Sequence, residues 1–164
     1  MLAKNMLVQT VSRETPWVSV ADLRVGDVLR DPVFAGVSKV AHIRKLGAFD
    51  GLDAPPSSRI VRFQAHEYDG KRPFHDVVLS GKEEIFLLLR RGSHLPVIET
   101  VRADSFVSTG VAEYHDSGAT EFYEVQTDHG SAICVNGMAL ATTRFNGSLD
   151  AVLKNCVESN PQPS

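Results

Sequence analysis

The chain has 164 residues, 43% of them apolar, with 17 basic and 20 acidic side chains and a formal charge of −3. Such a chain buries a core without metal or disulfide staples, and its charge makes no electrostatic case for nucleic-acid binding. No run reaches the roughly 18 apolar residues of a membrane helix.

Cys134 and Cys156 are the only cysteines, too few for a disulfide scaffold or an all-cysteine zinc site. Residues 1–8 lack the apolar region of a secretory signal, so a reducing compartment is expected, cytoplasmic or virion-associated. Trp17-Val18-Ser19-Val20 alternates in polarity, and residues 21–27 predict a tight turn into Val28-Leu29. Residues 33–43 have strand-like spacing, with Gly36 as a candidate bulge. Residues 47–58 are rich in Gly, Pro and Ser and predict a surface loop. Residues 59–65 alternate, Asp69-Gly70 signals a hairpin, and residues 73–79 return as its partner strand.

Ile85–Leu89 is the longest apolar run, bracketed by Glu83, Glu84, Arg90 and Arg91, and it turns at Arg91-Gly92-Ser93. The stretch 95–107 is ambiguous, with one helical turn over residues 100–104 as an option before Phe106-Val107. Residues 121–127 alternate again, Asp128-His129-Gly130 turns, and residues 131–135 pair back. Asn136-Gly137 is a further turn ahead of residues 138–142. Residues 148–157 have helical spacing, and the last residues read as frayed. Turn signals about every ten residues, with no long helical pattern, predict an all-β single domain. The expected division is a β-domain over 1–147, a short C-terminal helix over 148–158 and a disordered tail over 159–164.

Three segments in order carry a resemblance. Trp17 to Leu29, through Asp22-Leu23-Arg24-Val25-Gly26-Asp27, resembles the strand and Gly-Asp turn that opens Hint domains, the family of hedgehog autoprocessing domains, inteins and bacterial intein-like domains. The segment from Phe122-Tyr123 through Thr127-Asp128-His129-Gly130 and Asn136-Gly137 to Thr142 is similar to the family's closing hairpin. Between them, Leu79-Ser80-Gly81-Lys82-Glu83 stands where the family has a Thr-x-x-His block. The resemblance spans about residues 3–145. It implies a horseshoe of β-strands whose ends meet at one site. There a Cys or Ser attacks the preceding carbonyl to give a thioester or ester, and the Thr-x-x-His block polarises the scissile amide. Such chemistry needs a nucleophile, a proton carrier and oxyanion donors in one place.

The departures fall on the reactive positions. Counting back from Asp22-Leu23 by the family spacing reaches Ala3 or Lys4, neither a usable nucleophile. Ser80 replaces the threonine, and Glu83 stands where histidine belongs; an ionised carboxylate accepts a hydrogen bond but cannot donate one. An alternative register uses Arg72-x-x-His75, which keeps the histidine and loses the hydroxyl. The closing His-Asn of inteins is replaced by Leu140-Ala141-Thr142, and the hedgehog-type Ser-Cys by Thr142-Thr143. Two explanations are open: a naturally silent relative, or an engineered Cys→Ala change at position 3. The altered Glu83 and closing segment favour the first, and Met1 with the Pro-rich end suggests a complete small protein.

The six histidines show no ligand-like spacing, and neither metal nor cofactor is expected. Cys134, inside Ala132-Ile133-Cys134-Val135, reads as a buried inert thiol. The first expectation is a Hint-like fold without autoprocessing, serving as a structural or protein-binding module of a larger assembly such as a phage particle or a secreted-toxin scaffold. Its expected partner is a protein, with no nucleic acid and no membrane. The second is a residual self-cleaving enzyme using Ser80, Glu83 or His75, and His129, with Thr142 closing the site. The third is an unrelated small β-barrel.

Overall fold

The computed structural model describes residues 1–46, 59–89, 92, 97–116, 121–130 and 132–143.

 The expected surface loop at 47–58, most of the turn at 91–93, the helix at 148–158, the tail at 159–164 and Cys156 lie outside the described residues. Among those described, the structure is all-β.

Two antiparallel sheets hold thirteen described strands. The seven-stranded sheet runs β10-β6-β7-β1-β11-β5-β4, and the six-stranded sheet runs β3-β2-β12-β13-β8-β9. The first contains β1 (Leu2–Ala3), β4 (Val28–Arg30), β5 (Val37–Leu46), β6 (Ile60–Phe63), β7 (Val77–Ser80), β10 (Glu113–Tyr114) and β11 (Phe122–Thr127). The second contains β2 (Leu7–Gln9), β3 (Trp17–Ser19), β8 (Glu84–Leu89), β9 (Val97–Arg102), β12 (Ala132–Val135) and β13 (Met138–Ala141). Three times the chain leaves the first sheet and enters the second: from β1 to β2, from β7 to β8 and from β11 to β12. Period-two alternation explains the strands that have one buried face. In β11, Phe122, Tyr123, Val125 and Thr127 are buried while Glu124 and Gln126 are half-buried.

The core packs Val8, Leu29, Phe63, Leu79, Ile85, Phe122 and Leu140 together. Phe63 also meets Phe106 edge to face at 5.5 Å, and Tyr68 packs on both rings, a geometry that the aromatic quadrupole favours. Several local expectations change. Gly36 is part of the β4–β5 turn rather than a bulge, its carbonyl accepting from the Asp31 N–H at 2.9 Å. The strand returning after Asp69-Gly70 begins at Val77, not residue 73. Proline offers no N–H to a ladder, and the Asp76 carboxylate instead caps the Ala65 N–H at 2.9 Å. Over 95–107, β9 persists to Arg102 because each of its residues pairs with β8, and a 3-10 turn follows at Ala103–Phe106. No helix among the described residues is long and apolar enough to cross a membrane.

Candidate functional site

β1 is only two residues long, yet it fills the centre of the seven-stranded sheet. Leu2 stands opposite both Leu79 of β7 and Tyr123 of β11. The Ser80 N–H donates to the Met1 carbonyl at 3.0 Å, which seats the start of the chain beside the β7–β8 turn. That turn is itself pinned: the Glu83 N–H donates to the Ser80 carbonyl at 3.0 Å, and the Glu83 carbonyl accepts from the Ala103 N–H at 2.8 Å. Gly81 is needed here for space. A Cβ on it would lie 3.0 Å from the Asp104 Cβ and 3.2 Å from the Arg59 carbonyl oxygen.

The result is a small cavity of about 80 Å³ in which Met1, Glu83, Glu124, Thr142 and Thr143 meet over the apolar side chains of Leu2 and Leu140. The Met1 α-amine donates to the Glu83 carboxylate. Burial pushes that amine down to about 5, against the upward pull of the Glu124 carboxylate. Glu124 in turn bridges to Arg44 at 2.8 Å. On the far wall, the Thr142 hydroxyl lies 3.0 Å from the buried Thr127 hydroxyl, and the Thr127 N–H donates to the Thr143 carbonyl at 3.3 Å.

Of the residues singled out by sequence, the structure brings Glu83 and Thr142 to this cavity. Ser80 reaches it through its backbone; its side chain is buried and its hydroxyl accepts from the Lys82 N–H at 3.3 Å. Ala3 is 3% exposed, pairs with Phe122 and does not line the cavity. Met1, two residues earlier in the chain, lines it instead. His75 is exposed, with its ring 5.2 Å from that of Phe74. His129 is 72% exposed in the β11–β12 turn, 3.5 Å from the Asp128 carboxylate. Neither histidine lines the cavity.

Met1 and Glu124 are the contributors that sequence reasoning missed. Glu124 was legible only as an outward position of an alternating strand, because its approach to Met1 depends on β1 and β11 being neighbours. The chemistry available here is limited. A thioether has no proton to give up and forms no thioester, while an ionised carboxylate only accepts hydrogen bonds. Cys134 is buried in β12, away from the cavity, and burial pushes its thiol up, so a reactive thiolate is disfavoured. Among the described residues no cluster of three or more metal-ligating side chains occurs.

No family model and no curated protein matches the chain. Solved structures do match. The MchDnaB-1 intein aligns with a TM-score of 0.51 at 16% sequence identity, covering 87% of this chain and 100% of the intein. The Msm DnaB1 intein splicing domain, a structure bound with zinc, aligns with a TM-score of 0.52 at 15% identity, covering 87% and 100% respectively. At such low identity the shared property is the fold: this chain has the Hint fold of inteins.

Proposed function

We propose that this chain is a Hint-fold domain without autoprocessing, acting as a structural or protein-binding module within a larger assembly such as a phage particle. The observation that carries the first half is the composition of the cavity. Where the chain start, the β7–β8 turn and the closing segment meet, the side chains are Met1, Glu83, Glu124, Thr142 and Thr143. That set contains no thiol, no imidazole and no serine hydroxyl. A carbonyl held there would meet neither a thiol nor an imidazole, and the Thr142 hydroxyl is engaged with that of Thr127.

Support for the second half comes from another face. Phe34, Leu88 and Ile98 are 62%, 60% and 43% exposed, and the Phe34 and Phe86 rings meet at 5.9 Å. Beside them is an open cleft of about 430 Å³ lined by Val33, Tyr68, Phe86, Leu88 and Ile98 among others. Large apolar side chains gathered around one cleft are characteristic of protein contact surfaces.

The test is intact mass after prolonged incubation with dithiothreitol or with hydroxylamine. The expected result is no fragment ending at the cavity residues, since dithiothreitol releases a thioester and hydroxylamine a thioester or an ester; cuts at Asn136-Gly137 and Asn146-Gly147, which hydroxylamine opens through their cyclic imides, are set aside. Fragments ending at the cavity residues would overturn the proposal and establish self-cleavage instead.

A further inference from the structure

Asn136 and Gly137 form the two-residue turn between β12 and β13, with φ of 47° and 91°. Asn136 is 1% exposed and ties three segments together. Its Oδ1 accepts from the Leu7 N–H at 3.0 Å, and its Nδ2 donates to the Asp76 carbonyl at 3.0 Å. Its backbone N–H donates to the Leu7 carbonyl at 2.9 Å, and its own carbonyl accepts from the Phe74 N–H at 3.0 Å.

An asparagine followed by glycine carries a latent reaction, because no side chain on the second residue hinders its backbone nitrogen. The Gly137 nitrogen attacks the Asn136 Cγ; the N–Cγ bond forms, the Cγ–Nδ2 bond breaks, and ammonia leaves with the proton lost from Gly137. Water then opens the cyclic imide to aspartate or isoaspartate, and the main chain stays intact. In the folded chain both reactants are held: the amide by Leu7 and Asp76, the nitrogen by the turn between the paired Val135 and Met138.

We propose that Asn136 is a latent deamidation site, closed while the β12–β13 hairpin is folded, opened by unfolding and irreversible once used. The product cannot resume the same place. Aspartate lacks the Nδ2 donor and sets a carboxylate against the Asp76 carbonyl in a buried site, which costs heavily without compensation. Isoaspartate adds a methylene to a turn that fixes the register of Val135 opposite Met138. Each unfolding excursion therefore carries a chance of permanent conversion to a less stable chain.

The experiment incubates the full chain in mildly alkaline buffer and, in parallel, in concentrated urea, then maps deamidation by peptide mass. Asn146-Gly147 repeats the dipeptide and serves in urea as a clock for the chemistry. Residue 136 is expected to convert at least about tenfold more slowly in buffer than in urea, since reaction waits on opening. Equal rates at residue 136 in the two conditions would overturn the closed state. The deamidated chain, isolated and returned to buffer, is expected to unfold at lower urea than the parent. An unchanged midpoint would overturn the claim that the product cannot resume the same place.

Discussion

Asp27 shows how a recognisable motif residue acquires its role from a partner that no motif names. The Gly-Asp turn is legible in the sequence, but Arg13 is not: its Nε and Nη2 donate to the two Asp27 carboxylate oxygens at 3.1 and 2.7 Å. The Arg24 N–H adds a third bond at 2.8 Å. Hydrogen bonding by Arg13, ahead of its charge, holds the Asp27 carboxyl below its ordinary 3.8. A carboxylate depressed in the folded state stabilises the protein above its unfolded pKa, and that contribution is lost as pH falls through the folded value. Asp27→Asn is therefore expected to lower the urea midpoint at neutral pH and to differ less from the parent below about pH 4. Urea titrations of both proteins at the two pH values check this; an equal gap at both would refute the linkage.

Among the elements, the shortest strand and the β7–β8 turn set the geometry of the candidate site. β1 holds Met1 in place because Leu2 is bracketed by β7 and β11 and is 4% exposed. Leu2→Ala is expected to cost about 2–5 kcal/mol, the range for truncating a buried leucine. Gly81→Ala places a methyl group against the Asp104 side chain and the Arg59 carbonyl and is expected to cost about 1–3 kcal/mol by overpacking. Both are read from urea unfolding. Wild-type stability in Gly81→Ala would mean that the turn relaxes freely.

For the whole molecule, the prediction concerns chemistry that the scaffold retains room for. With Cys at position 1 behind a short N-terminal fusion, Met1→Cys alone is expected to stay intact, because Glu83 supplies no proton to the leaving amide. Adding Glu83→His restores a donor and is expected to give thiol-dependent scission at that junction, faster by about 10²-fold or more if a general acid is the missing part. Mass spectrometry of the fusion distinguishes the two. Rapid cleavage of the single variant would show that Glu83 is no obstacle.

Alternation in residues 121–127, the Asp-Gly and Asn-Gly turns and the scarcity of helical spacing determined an all-β chain, since strand period and turn chemistry are local properties. The carboxylate at Glu83 and the hydroxyl at Thr142 were legible too, because they rest on residue identity. Placement at the site was decided only in three dimensions. Met1 rather than Ala3 reaches Glu83 because a strand register, not a count along the chain, positions the N-terminal residues. Glu124 joins them because β11 lies beside β1, a pairing between segments about 120 residues apart that no local pattern encodes.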